Sequence, residues 1–111
     1  MSATTKQVFE HHLGAFSVGL DELLKDYENE SSLITPTKTY TGLKEIGAFF
    51  QVFLDSVDAE FWTAFKIVSM STVGDVAYLA WESKPSMPLA TDTLVIKNGR
   101  IAVQTFTPFP R

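Results

Sequence analysis

The 111-residue sequence contains no cysteine, so it can build neither a disulfide framework nor a thiolate metal site, and it suits a reducing compartment. It has no basic run, and a net charge of −4 argues against a nucleic-acid surface. No apolar stretch approaches the roughly 20 residues that span a bilayer. The opening Met1-Ser2-Ala3-Thr4-Thr5-Lys6 lacks the apolar core of a signal peptide. A Gly-rich phosphate loop and a serine nucleophile elbow are both missing, which argues against nucleotide transfer and covalent hydrolysis. Repeats, low-complexity tracts and linkers are also absent. The expectation is one cytoplasmic domain over residues 1–111, with no cofactor, metal, nucleic-acid or membrane partner.

What the chain does have is bulk. Nine Phe and two Trp supply large core side chains. Thr4-Thr5-Lys6-Gln7 reads as a capping box opening a first helix, with Phe9, Leu13 and Phe16 on one stripe to about Val18. Gly19 breaks it, and Leu20, Leu23, Leu24 and Tyr27 mark one side of a short second helix. Ser32–Thr35 is a short strand ended by Pro36, which has no N–H for a ladder. Thr39-Tyr40 is another, before a third helix with Leu43, Ile46, Phe49, Phe50, Phe53 and Leu54 on a wide apolar face. From Phe61 the pattern turns to strands: 61–71, 76–83 and a hairpin at 90–106. Lys84–Pro88 reads as a loop, and Thr107–Arg111 cannot continue a sheet interior and should lie at an edge or over a mouth. About three N-terminal helices followed by an antiparallel run of strands predict an α+β layout.

These strands are apolar on both parities: Trp62, Ala64, Val68 and Met70 against Phe61, Phe65 and Ile67, and Tyr78 against Leu79 and Trp81. A sheet with one wet face alternates more cleanly. With no spare helix to cover the outer face, a second copy of the chain is the simplest cover, predicting a homodimer.

The hairpin Ala90–Phe106 turns at Asn98-Gly99, the strongest short-range hairpin signal. Its first strand places Asp92 at the parity of Leu94 and Ile96, so a carboxylate shares a face with two large apolar residues. Two readings are open: an acid in an apolar pocket wall, with its pKa raised by desolvation, or a solvated strand end. His12 falls within the Phe9/Leu13/Phe16 stripe and His11 points away from it. A pocket-facing His12 could shuttle a proton or donate a hydrogen bond; otherwise it is a core histidine bonded to backbone. The pair His11-His12 is no metal site, because adjacent helical residues diverge by about 100°. The acids Asp21, Glu22, Asp26, Glu28 and Glu30 read first as a solvated face and second as a cation site.

Three segments carry a family resemblance: His12–Leu24 with its small-residue break, Tyr40-Thr41-Gly42-Leu43-Lys44-Glu45-Ile46, and Thr91–Ile101. With the order of elements, they make the chain resemble the nuclear-transport-factor-2-like (NTF2-like) superfamily, most of all its SnoaL-like polyketide cyclases and ketosteroid isomerases. The resemblance implies a cone-shaped, cystatin-like α+β barrel whose curved sheet wraps a long helix around one deep pocket. Steroid isomerases use a Tyr on the first helix, an Asp base after the first strand and a protonated Asp on the late hairpin. Asp92 matches the last. The base position falls on Thr35, which cannot take a proton at neutral pH, and the Tyr position falls on His11 or, with a one-residue gap, His12.

By this resemblance the expected function is cofactor-free isomerisation or cyclisation of a small hydrophobic carbonyl compound, with Asp92 and His12 catalytic. Thr35, Tyr40, Trp62, Trp81, Gln104 and Phe106 are the expected pocket residues, and Gln104 lies on the inward Ala102/Phe106 parity. The alternative is a non-catalytic, dimeric binding or interaction module using the same pocket. A hydrolase with an activated water would need an Arg beside the acids, where neither Arg100 nor Arg111 is placed.

Overall fold

The computed structural model describes residues 4–109. The chain begins with α1 (Thr5–Ala15) and α2 (Leu20–Leu24), then a small hairpin of β1 (Ser32–Ile34) and β2 (Thr39–Thr41). The long α3 (Gly42–Ser56) and short α4 (Ala59–Ala64) follow, and the strands β3 (Phe65–Val73), β4 (Val76–Ser83), β5 (Met87–Lys97) and β6 (Arg100–Pro108) complete it. All six strands form one sheet in the order β2-β1-β6-β5-β4-β3. Every pairing is antiparallel except β1 with β6. This is the expected α+β architecture.

The expected capping box forms: Gln7 N donates to Thr4 Oγ1 at 3.1 Å, and Thr4 N to Gln7 Oε1 at 2.9 Å. The helix ends at Ala15, ahead of the expected Val18, and Gly19 at φ 140° supplies a backbone that a side chain would strain. At the other hairpin, Asn98 and Gly99 both have positive φ, 53° and 75°, as a tight two-residue turn between right-twisted strands requires.

Among the described residues a fourth, short helix joins the expected three. Phe61–Ala64, expected as strand, belongs to α4, and β3 starts only at Phe65. The aromatic residues suggested β, but the Asp58 side chain accepts from Phe61 N at 2.9 Å and nucleates a helical turn. The loop before β5 is shorter than expected, since pairing resumes at Met87. After Phe106 the chain stays in the sheet but is paired on one side only, which is the edge position expected. Thr107 and Pro108 continue β6 against β5, and Phe109 N donates to Leu89 O at 2.8 Å. Pro108 is tolerated because β1 pairs with β6 only at Val103–Thr105, leaving that edge free further on. Pro110 and Arg111 lie outside the described residues.

The helices cover one face of the sheet: α1 packs on β4 and β5, α3 on β1 and β2, and α4 on β4. Register shifts at Ile67/Ser69, Trp81/Ser83 and Val95/Ile96 interrupt the ladders. Such irregularities bend and twist strands, which lets the sheet curve around the helices. Between the two layers the packing is incomplete, and the gap is where the polar residues of interest meet.

Candidate active site

Asp92 sits in the middle of β5, opposite Leu79 on β4 and Phe106 on β6. The strand alternates as expected, with Ala90, Asp92, Leu94 and Ile96 all buried on the inner face. The strand-end reading is therefore ruled out: Asp92 is 7 % exposed. Each carboxylate oxygen is held by a neighbouring strand. Trp81 Nε1 donates to Oδ1 at 3.0 Å, and Gln104 Nε2 donates to Oδ2 at 2.9 Å. Burial pushes the Asp92 pKa up to about 6, and the two N–H donors hold it from rising further.

Gln104 has a second partner. Its Oε1 accepts from the hydroxyl of Tyr27, so a continuous chain runs Tyr27–Gln104–Asp92 through the interior. Tyr27 is not among the expected site residues, because on the sequence it completes the apolar side of the second helix. The available signal was its hydroxyl, which a buried tyrosine must satisfy, facing a strand whose inner side carries a glutamine.

Asp92 and Gln104 face a cavity of about 560 Å³ whose remaining walls are largely aromatic. Phe16 follows α1, Phe49, Phe50 and Phe53 come from α3, Trp62 from α4, Trp81 from β4 and Phe106 from β6. The rings meet mostly edge-on, such as Phe16 with Phe50 at 5.9 Å and with Phe53 at 6.0 Å. Successive turns of α3 place Phe49, Phe50 and Phe53 along one inward side.

Of the two histidines, His12 lines the cavity and is buried, with its ring edge-on to Phe16 at 5.1 Å. Its Nδ1 has no hydrogen-bond partner among the described residues. Burial, with a smaller contribution from the His11 charge, pushes its pKa down to about 4, so His12 is neutral near pH 7. No hydrogen bond joins it directly to Asp92 among those residues. His11 points the other way, as its helical position requires. It bonds Asp26 Oδ2 at 2.7 Å and Glu22 Oε2 at 2.6 Å, and these carboxylates raise its pKa. Two members of the acidic run thus clamp α1 to α2, and no metal-holding cluster occurs among the described residues.

The expected pocket residues divide. Trp62, Trp81, Gln104 and Phe106 line the cavity with Asp92 and His12, whereas Thr35 and Tyr40 do not. Thr35 closes the β1–β2 turn, its hydroxyl donating to Lys38 O at 2.8 Å and accepting from Lys38 N at 3.1 Å. Tyr40 lies on edge strand β2, against the cavity-lining Phe49 at 5.0 Å and beneath the Lys38 ammonium. β1 ends at Ile34, and the residue after it is spent on the turn.

No family model matches the sequence, and no curated protein matches it. Solved structures do match. An NTF2-like protein of unknown function from Cytophaga hutchinsonii superposes with a TM-score of 0.75 over 100 % of this chain and 95 % of its own, at 15 % identity. A candidate polyketide cyclase from Sinorhizobium meliloti gives 0.73 over 90 % and 93 %, at 17 % identity. A SnoaL-like protein of unknown function from Burkholderia thailandensis gives 0.74 over 95 % and 94 %, at 13 % identity. The fold is the NTF2-like α+β cone, the architecture of these solved structures.

Proposed function

We propose that the protein catalyses cofactor-free proton transfer next to the carbonyl of a small, largely apolar compound, as in an isomerisation or an aldol-type cyclisation. The observation that carries this reading is a largely apolar, aromatic-rich cavity whose lining includes a buried carboxylate and a neutral imidazole with an unpartnered nitrogen. Asp92, ionised above about pH 6, takes a proton from the carbon beside the carbonyl and becomes the neutral acid. The electron pair moves to the carbonyl oxygen, where the His12 N–H donates a hydrogen bond to the enolate. Where the enolate is conjugated with a second double bond, Asp92 returns its proton to the far carbon, completing an isomerisation; alternatively the enolate carbon attacks a second carbonyl, whose oxygen takes the Asp92 proton as the ring closes. The aromatic walls hold the rest of the molecule and keep water out.

Proton exchange at that carbon tests the reading without knowledge of the natural substrate. A panel of flat, apolar ketones is incubated with the protein in D2O and followed by proton NMR. Deuterium should enter the α-position faster with the protein than in buffer, and Asp92→Asn should slow it by about 100-fold or more. His12→Ala should also slow it. A pocket that quenches Trp62 and Trp81 fluorescence on binding these ketones, yet accelerates no exchange, would support the second reading. That reading is a non-catalytic binding module, favoured by Thr35 lying outside the cavity where the isomerase resemblance calls for a carboxylate base.

The reading includes a homodimer formed through the outer face of the sheet. Val76 and Tyr78 on β4 are exposed, and Thr91, Thr93, Val95, Val103, Thr105 and Thr107 beside them are half-buried. Each alternates with a residue of the inner side, so all share the outer face, and none carries a charge. An uncharged Val/Thr surface of this kind suits a second copy of itself.

A further inference from the structure

Asp92 can serve as an acceptor or, once protonated, as a donor, and which it does depends on what its neighbours present. Trp81 Nε1 can only donate. Gln104 can do either, because its amide carries an acceptor on one side and two donors on the other. Gln104 is 1 % exposed and cannot settle the choice with water. The group on its far side settles it. Tyr27 is 3 % exposed, and its hydroxyl has Gln104 as its one hydrogen-bond partner among the described residues.

We propose that Tyr27 is a positioning residue: by donating to Gln104 Oε1 it turns the amide donors toward Asp92, and so holds Asp92 as the acceptor of the chain, a base rather than an acid. With the amide this way round, every group in the chain is satisfied when Asp92 is a carboxylate, since hydroxyl, amide and indole all donate toward it. Were Asp92 protonated and donating to Gln104, the amide would have to turn over. Its N–H would then face Tyr27, whose own hydroxyl hydrogen would be left buried without an acceptor, which is unfavourable. Were the amide to stay, a neutral Asp92 would accept two bonds that are stronger to an anion. Both routes favour the ionised form. The titratable groups around this chain are His12 from α1, which is neutral, and Tyr27 with its neighbour Asp26 from the segment after α2. α3 contributes phenylalanine to the cavity, and β4 and β6 present Trp81 and Gln104 to the carboxylate.

The inference rests on the proposed acid/base role of Asp92 only for its effect on rate; the titration itself needs no substrate. Carbon-13 carboxyl NMR should show the Asp92 midpoint moving up by about one pH unit in Tyr27→Phe, a tenfold change in the ratio of protonated to ionised form. Tyr40→Phe, which removes a hydroxyl outside the chain, should leave the midpoint where it is. In a ketone-exchange assay, Tyr27→Phe should shift the pH–rate profile upward by the same amount. An unmoved midpoint in a folded Tyr27→Phe overturns the proposal. Should that variant not fold, the unaltered protein gives the answer: the Gln104 side-chain amide and the Tyr27 ring signals should titrate together at the Asp92 midpoint, and independence of either from it overturns the proposal. A shifted midpoint beside undiminished exchange in Asp92→Asn would keep Tyr27 as the positioning residue and remove Asp92 from catalysis.

Discussion

At the scale of single residues, the site sets two ionisable groups against each other. Burial raises Asp92 to about 6 and lowers His12 to about 4, so near pH 7 the site contains one anion and one neutral ring. Each shift also acts on stability, with opposite sign. The folded chain holds the Asp92 proton more tightly than the unfolded chain, whose carboxyl titrates near 3.9. The contribution is therefore present in full below about pH 4 and lost as the pH rises through about 6, a cost on the order of 3 kcal/mol by neutrality. His12 does the reverse, losing stability as the pH falls from about 6.5 toward about 4. Comparing wild type with Asp92→Asn isolates the first effect. Thermal unfolding should show the variant gaining on the wild type as pH rises from 4 to 7, whereas an offset constant with pH would contradict a desolvated Asp92.

At the scale of elements, α4 connects folding to the cavity. It is a single turn and a half, short enough that its cap decides whether it forms. Asp58 receives Phe61 N, and the helix then places Phe61 and Trp62 edge to face at 5.1 Å, with Trp62 in the cavity wall. The Phe61 carbonyl accepts from the buried Ser83 hydroxyl at 2.6 Å, which ties the turn to β4. Asp58→Ala should cost about 1 kcal/mol in denaturant unfolding and weaken ligand-induced quenching of tryptophan fluorescence. Loss of stability without any change in quenching would mean that Trp62 keeps its place without the cap. The α1–α2 corner is held differently, by His11 between Glu22 and Asp26, and it brings Tyr27 under the sheet.

For the whole molecule, the dimer proposed above is decided at the outer side of the sheet. β3 is one edge of the sheet and is exposed along nearly its whole length, including Ile67, Met70 and Val73. Light scattering after size exclusion should give twice the chain mass of 12.3 kDa at micromolar concentration. Tyr78→Lys, which places like charges on the uncharged face of both copies, should shift it to monomer. A wild type that is monomeric at that concentration would remove the dimer. Among the described residues no helix is long and apolar enough to cross a membrane.

The sequence by itself determined what depends on neighbours along the chain. The capping box at Thr4, the turn at Asn98-Gly99 and the period-two burial that directs Asp92 inward follow from local hydrogen bonding and strand geometry. Helical spacing was likewise enough to separate His12 from His11. Where local signals conflicted, as in Phe61–Ala64 with aromatic residues behind an Asp cap, pattern alone chose the wrong element. Only the tertiary structure decided that Thr35 belongs to a turn, that Tyr40 stands behind the cavity wall, and that Tyr27 reaches Gln104 across 77 positions of sequence. Such partners are chosen by how the helices seat on a curved sheet. A buried hydroxyl states that it needs an acceptor; the packing of the whole chain settles which one it finds.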